Sequence, residues 1–170
     1  MTRSRLVFAL LLVLAAAGGG GAALAGYESG VLAYEAGDYR TALSAFRALA
    51  ERGDGDAEFM LGAMYFYGKG VPRDPALAAV WFHKAARKGN AGAQLAFGSL
   101  HIRGLGVRQD LVKALMWLDL AGRSPVPDIR REAAVLGDQA RRMMRPDEIA
   151  RARRLADRFE PIKAGLAKGR

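Results

Sequence analysis

The residues best suited to catalysis are few and poorly placed in this sequence. The chain has two histidines, His83 and His101, and no cysteine. Ser99 and His101 are two residues apart on one predicted helix, so their side chains do not face each other. No nucleophile or carboxylate stands at a spacing that would complete a catalytic set. We therefore predict no catalytic residue, with His101 in a core aromatic position and His83 at an exposed helical position.

Acidic pairs are also explained without a reaction. Asp54 and Asp56 lie in a predicted turn, and Asp147 and Glu148 suit the positive N-terminal end of a helix. The sequence offers no convergent set of metal ligands. We predict no metal site and no cofactor, which moves the question from catalysis to recognition.

A repeated unit organises the chain. Residues 57–90 recur as residues 93–123, and equivalent positions such as Trp81 and Trp117 are 36 apart. Residues 27–53 continue the register backwards, since Gly53 stands 36 before Gly89. A fixed period in this range is typical of stacked helical repeats, in which each unit buries its apolar face against a neighbour. Three helix pairs are predicted, with both tryptophans packed between helices.

The connectors YGKGVPRD and RGLGVRQD share two glycines, a valine and an aspartate. Glycine permits a positive φ angle, valine can fill space between helices, and aspartate can cap the next helix. The G-x-G strings lack the preceding strand and the Lys-Ser/Thr pair of a phosphate loop, so we predict turns. Gly62 and Gly98 fall inside predicted helices, where glycine costs about 1 kcal/mol relative to alanine. This cost predicts a close approach of the partner helix.

Two terminal helices are predicted at residues 128–144 and 146–160, followed by a frayed basic tail at 161–170. The last helix carries an apolar stripe formed by Ile149, Ala152, Leu155, Ala156 and Phe159. Its arginines, predicted to face away from that stripe, are Arg151, Arg153, Arg154 and Arg158. This helix is expected to cap the repeat array.

The first 25 residues have the three-part layout of a secretory signal peptide. Arg3 and Arg5 precede an apolar run from Leu6 to Ala17, and small residues at Ala23 and Ala25 predict cleavage after Ala25. The repeat domain then occupies residues 26–160, in the periplasm or outside the cell. An uncleaved membrane anchor remains an alternative, although the run is shorter than the roughly 20 residues of a membrane span.

The net charge of the chain is +9, and removal of residues 1–25 leaves +7. Export would remove nucleic acid from the possible partners. A basic exported protein could meet an acidic protein, an anionic membrane surface or an anionic cell-wall polymer through interactions that salt weakens. Solvated, arginine-rich helix faces explain the charge equally well.

The repeated pattern resembles the Sel-1-like repeat family, relatives of tetratricopeptide repeats with a longer glycine-bearing loop. The resemblance depends on A57-x-x-x-L61-G62-x-x-Y65-x-x-G68-x-G70-V71-x-x-D74 and on the A78-x-x-W81-x-x-K84-A85-A86-x-x-G89 that follows it. It implies an all-α fold, an α/α superhelical solenoid of three helix pairs with a C-terminal capping helix. It also implies an adaptor or scaffold that binds a protein or peptide on its concave face.

The resemblance places the partner-binding residues on the first helix of each pair. These residues are Phe59, Ala63, Phe66, Tyr67, Leu95, Ser99, Ile102, Arg103 and Arg131. Phe59 and Leu95 could instead pack across the repeat boundary. Two other functions stay open, an enzyme or accessory acting on wall polymer and a basic module that adheres to anionic envelope components; turnover and salt sensitivity would distinguish them.

Overall fold

The computed structural model describes residues 21–162, which form helices and no strand. In chain order the helices are α1 (Gly21–Glu35), α2 (Tyr39–Glu51), α3 (Gly55–Tyr67), α4 (Pro75–Arg87), α5 (Ala91–Arg103), α6 (Leu111–Ala121), α7 (Pro127–Arg141) and α8 (Pro146–Asp157). The first six pack as three consecutive pairs, and the second helix of each pair also packs against the next first helix. This arrangement confirms the predicted all-α repeat fold.

Short polar side chains fix where the helices begin. Asp74 accepts hydrogen bonds from the backbone N–H groups of Ala76 and Leu77, at 3.0 and 2.9 Å. One repeat later Asp110 accepts from the N–H of Lys113 at 2.9 Å. These bonds satisfy donors that a helix leaves free in its first turn. The predicted caps are therefore present. Three further caps lie at Asp38, Asp54 and Asn90.

Glycines inside the first helices allow the second helices to approach. A Cβ atom on Gly62 would lie 2.6 Å from a ring carbon of Phe82, and one on Gly98 would lie 2.9 Å from Leu118. The predicted close approach is confirmed. A Cβ atom on Gly30 would likewise lie 2.8 Å from a ring carbon of Phe46. Gly30 is not 36 residues before Gly62, because the first loop is shorter than the later ones. The three glycines allow the three pairs to pack in the same way.

The second glycine of each long loop joins one repeat to the preceding one. Gly70 has a φ of +72° and packs on Tyr39, the first residue of α2. Gly106 has a φ of +70° and packs on the backbone of Pro75, the first residue of α4. The loops therefore touch the start of the previous unit's second helix as well as closing their own turns.

The two terminal helices both pack on α6 rather than on each other. Helix α8 buries Ala152 and Ala156 and ends at Asp157, earlier than predicted. The sequence places Leu155 in the apolar stripe, but its side chain is 40% exposed because it lies at the border of that stripe. The helix residues Arg151, Arg153 and Arg154 and the adjoining Arg158 are exposed, as predicted.

The segment after α8 turns back towards α4. Phe159 packs against Trp117, with ring centroids 5.3 Å apart, and the N–H of Ile162 donates to the carbonyl of Arg87 at 2.9 Å. The beginning of the predicted frayed tail is thus hydrogen-bonded to the repeats. Residues 163–170 and residues 1–20, which hold most of the predicted signal peptide, lie outside the described residues. Within residues 21–162 no helix is long and apolar enough to span a membrane.

Candidate protein-binding surface

The first helices of successive repeats, α3, α5 and α7, position the residues that the family resemblance selected. Tyr67 and Arg103 are the last residues of α3 and α5, one repeat apart. Each precedes a glycine in the left-handed conformation, Gly68 or Gly104, whose N–H bonds a carbonyl of the helix it ends. Because the same turn ends both helices, the two side chains occupy equivalent places in neighbouring repeats.

Tyr67 and Arg103 lie close enough to interact electrostatically. Tyr67 is 38% exposed. Burial of its hydroxyl raises the pKa of Tyr67, and the positive charge of Arg103 opposes that rise. Arg103 is exposed, and no ion pair involves it within residues 21–162. Neighbouring repeats therefore present an aromatic hydroxyl and a guanidinium that has no ion-pair partner within residues 21–162.

Tyr34 of α1 lies near Tyr67 but is only 4% exposed, and it belongs to the hydrophobic cluster that joins α1, α2 and α3. Burial raises the pKa of Tyr34, and the nearby hydroxyls of Tyr39 and Tyr67 raise it further. Tyr34 is therefore a core residue and not part of the accessible surface. The accessible row consists of Tyr67 and Arg103, one side chain from each of two neighbouring first helices.

Phe66 stands beside this row and is partly covered by its own loop. Its ring meets that of Tyr67 edge-on, with centroids 5.0 Å apart. The guanidinium of Arg73 lies 5.6 Å from the centre of the Phe66 ring, and Arg73 Nε donates to the Phe66 carbonyl at 3.0 Å. These contacts fix the orientation of both aromatic rings.

Four of the predicted binding residues serve mainly to hold the repeats together. Ala63 and Ile102 are buried in hydrophobic clusters. Phe59 packs on Phe82, with ring centroids 5.7 Å apart, and a Cβ atom on Gly92 would lie 3.0 Å from its ring. Leu95 is half-buried beside α6 and α7 residues. For Phe59 the contact across the repeat boundary is made with Gly92.

The remaining predicted residues are accessible to different extents. Ser99 is half-buried one turn before Arg103, and Arg131 on α7 is exposed, with its guanidinium 2.8 Å from the carboxylate of Asp128. Val135 lies one turn after Arg131 and is 59% exposed, an apolar neighbour that the family pattern did not select. We use the name first-helix surface for Phe66, Tyr67, Ser99, Arg103 and Arg131.

The two histidines pack inside the repeats. The side chain of His101 is buried, and its Nδ1 lies 3.2 Å from the carbonyl of Arg108, which positions it to donate a hydrogen bond. The prediction that His83 is exposed was wrong. His83 is half-buried between Phe97 and Trp117, with ring centroids 5.1 and 6.1 Å away. No set of three potential metal ligands converges within the described part of the chain.

Acid should destabilise the fold through these histidines. Burial lowers the pKa of His83 and of His101, with the charges of Arg87 and Lys113 acting in the same direction on His83. Since each folded pKa lies below the ordinary value of 6.5, the stabilisation is complete above 6.5 and is lost as pH falls from there through the folded pKa. A tenfold loss of proton affinity on folding corresponds to about 1.4 kcal/mol, and solvent screening at the half-exposed His83 ring reduces its share. We expect the free energy of unfolding, measured by urea denaturation, to decrease between pH 7.5 and 5.5.

The double variant His83→Gln/His101→Gln is the control for this pH dependence. Burial raises the pKa of Asp56 and of Asp119, so these carboxyls favour the fold as the solution becomes acidic. Their effect has the opposite sign and persists in the variant. A decrease in stability that is equally steep in the variant would exclude the histidines as its cause.

The paired helices, glycine-bearing loops and stacked interfaces define an α/α repeat protein. Residues 55–90 and 91–124 match the Sel1 repeat model, so this part of the chain consists of two Sel1 repeats and the predicted resemblance is confirmed. Sel1 repeats generally form scaffolds for protein–protein interaction and are typically non-enzymatic.

Two solved structures are similar to the chain. One is a protective antigen present in uropathogenic Escherichia coli strains and displays an SLR fold. It is 28% identical over 82% of this chain and 30% of its own length, with a TM-score of 0.75. A Sel1 repeat protein from Oxalobacter formigenes is 32% identical over 72% of this chain and 34% of its own, with a TM-score of 0.60. The chain thus spans about a third of each. No curated protein matches it in sequence.

Proposed function

We propose that this protein is an exported scaffold that binds another protein or a peptide on its first-helix surface. The observation that carries the proposal is the exposure of Tyr67 and Arg103 at equivalent places, the last residues of the first helices in neighbouring repeats. Tyrosine and arginine are the residue types most enriched, with tryptophan, among those that dominate binding energy at protein interfaces. Export is inferred from the signal-like residues 1–25, which would direct the chain to the periplasm or out of the cell.

The shape of the surface favours an extended partner. Tyr67, Arg103 and Arg131 are exposed and come from three successive first helices, so a peptide lying across them would meet each helix in turn. Tyr67 offers an aromatic edge and a hydroxyl, whereas Arg103 offers guanidinium donors that suit a carboxylate or a backbone carbonyl. Such a partner is held by contacts distributed along the solenoid rather than by one deep pocket.

Loss of the two central side chains should abolish binding. The experiment uses residues 26–170 as the parent protein, to capture a partner from an envelope extract. We expect the variant Tyr67→Ala/Arg103→Ala of the same residues to lose that partner. Each residue of this kind contributes about 2 kcal/mol or more when it lies at the centre of an interface. Retention by the parent protein should persist at moderately high salt, because the contact is not purely ionic.

The matched control is Val80→Ala/Arg40→Ala, which removes an exposed aliphatic side chain and an exposed arginine from the second helices. It should retain the partner. Unchanged circular dichroism at 222 nm would show that both variants keep their helices. Equal loss of the partner in both variants, or full retention in the Tyr67→Ala/Arg103→Ala variant, would reject the first-helix surface as the binding site.

A further inference from the structure

Positive charge is concentrated at the C-terminal end of the chain. Residues 123–170 contain thirteen basic and seven acidic residues, which accounts for +6 of the total net charge of +9. Charge asymmetry of this kind indicates an interaction with a polyanion or a membrane surface. The arginines that could make such an interaction are those that are exposed and have no carboxylate partner in the fold.

The fold neutralises several of these arginines internally. Arg123 pairs with Asp157 at 2.7 Å, and Arg141 pairs with Asp119 at 2.6 Å and with Asp138 at 3.0 Å. Arg131 and Arg145 also have carboxylate partners. These pairs lie between or within helices, so their charge is largely satisfied by the protein itself.

One face of α8 is different. Arg151, Arg154 and Arg158 are exposed, and no carboxylate in residues 21–162 forms an ion pair with any of them. Their spacing places them on one side of the helix, within about 10 Å along its axis at 1.5 Å per residue. The opposite side is anchored to the repeats by the buried Ala152 and Ala156. We call these three residues the arginine face.

Exposed apolar side chains lie beside the arginine face. Leu155 is 40% exposed on the same helix, and Ile162 is 44% exposed just after it. The bond from the Ile162 N–H to the Arg87 carbonyl ties this segment to the end of α4, where the Arg87 side chain is also exposed. The sequence that follows, residues 163–170, adds three basic residues and no acidic one.

We infer that the arginine face, with Leu155 and Ile162, binds the surface of a bilayer containing anionic phospholipid. Guanidinium groups bind phosphate oxygens through paired hydrogen bonds, and arginines near an anionic bilayer are attracted by its surface potential. Aliphatic side chains beside them can enter the boundary between headgroups and acyl chains. An acidic peptide or polymer would satisfy the arginines but would leave Leu155 and Ile162 without an apolar environment.

This surface is separate from the first-helix surface. Helix α8 packs on α6, a second helix, whereas the proposed partner site is formed by first helices. A molecule held on a membrane by α8 could therefore still bind a protein through Tyr67 and Arg103. Membrane binding by α8 does not depend on the proposed scaffold function. Together, the two proposals place the scaffold and its partner at a membrane surface.

Vesicle binding of the full chain tests the inference. The measured quantity is the ratio of the partition coefficient on vesicles of 70% phosphatidylcholine and 30% phosphatidylglycerol to that on phosphatidylcholine alone. Residues 1–25 contribute the same factor to every variant, so they cancel when the ratios of two variants are compared. We expect the triple variant Arg151→Gln/Arg154→Gln/Arg158→Gln to lower this ratio roughly 100-fold, at about fivefold per arginine.

The matched control, Arg40→Gln/Arg52→Gln/Arg108→Gln, removes the same charge from exposed positions outside α8 and should leave the ratio within a few-fold of the parent value. An equal fall in both triple variants would show that only net charge matters, and would overturn the site. Leu155→Asn should weaken binding to the anionic vesicles but not binding to soluble poly-L-glutamate. If poly-L-glutamate binds as tightly as the vesicles and Leu155→Asn changes neither, the partner is an acidic polymer and the bilayer assignment is wrong.

Discussion

Gly106→Ala should lower the free energy of unfolding by about 2 to 5 kcal/mol, the largest effect of any glycine substitution in the loops. Alanine at a φ of +70° is strained by about 1 to 2 kcal/mol. The new Cβ would also overlap the carbonyl of Pro75 and lie 2.7 Å from the backbone nitrogen of Ala76. Overpacking typically costs a further 1 to 3 kcal/mol, and here the obstacle is backbone, which cannot rotate away. Urea denaturation followed by circular dichroism measures the change.

Gly104→Ala is the matched control, because Gly104 has nearly the same φ, +66°, but room for a methyl group. The nearest atoms to its added Cβ, on Gln109, would be 3.5 Å away. We expect a loss of only about 1 to 2 kcal/mol from the backbone conformation alone. Gly70→Ala and Gly68→Ala repeat the comparison one repeat earlier, where Gly70 meets Tyr39. Equal losses at positions 104 and 106 would show that the loop does not press on the preceding repeat.

Lys88→Met should be almost as damaging, with a loss of about 3 kcal/mol at pH 7.5. The Nζ of Lys88 lies 2.7 Å from the carboxylate of Glu58 and donates to the carbonyl of Gly53 at 2.8 Å. The side chain of Glu58 is only 5% exposed, so the variant leaves a buried carboxylate without its counter-ion. Removing one partner of such a pair typically costs 3 to 5 kcal/mol, and the partial exposure of Lys88 favours the lower figure. Equilibrium unfolding again measures the change.

The next repeat supplies the control for this prediction. Position 94, equivalent to Glu58, is a buried glutamine whose Nε2 donates to the Ala86 carbonyl at 3.2 Å, and position 124, equivalent to Lys88, is a buried serine. The double variant Glu58→Gln/Lys88→Ser transfers this neutral arrangement to the earlier repeat. It should recover most of the stability lost in Lys88→Met. A double variant no more stable than Lys88→Met would mean that the lysine acts through packing rather than charge.

The local features of the fold could be predicted because their signals lie within a few residues. The caps at Asp74 and Asp110 and the turns at Gly68 and Gly104 follow from residue types that repeat after 36 positions. The close approach at Gly62 could also be predicted, since glycine inside a helix needs a packing reason. Features fixed by distant parts of the chain were harder to predict. His83 is covered by Phe97 from the next helix, and Ile162 is bonded to α4.

The candidate surface was predictable only in part, for the same reason. A helical pattern places Tyr67 and Arg103 at equivalent positions, but it does not show which neighbours will cover Ala63 or Ile102. Ala63 is buried in a cluster that includes residues of α4, α5 and α6, and Ile102 is buried in a cluster that includes residues of α6 and α7. The sequence pattern predicts that the arginines of α8 are exposed. It does not show that Arg151, Arg154 and Arg158 have no carboxylate partner within residues 21–162, because that depends on where other helices place their carboxylates.

Site-specific photo-crosslinking in living cells tests the scaffold function most directly. The photoreactive residue p-benzoylphenylalanine would replace Tyr67 in one version of the full chain and Val80, an exposed residue of α4, in another. We expect one discrete crosslinked protein from position 67, which is absent at position 80 and is lost when Arg103→Ala is added. No crosslink at position 67, or the same species from both positions, would contradict a partner site on the first-helix surface.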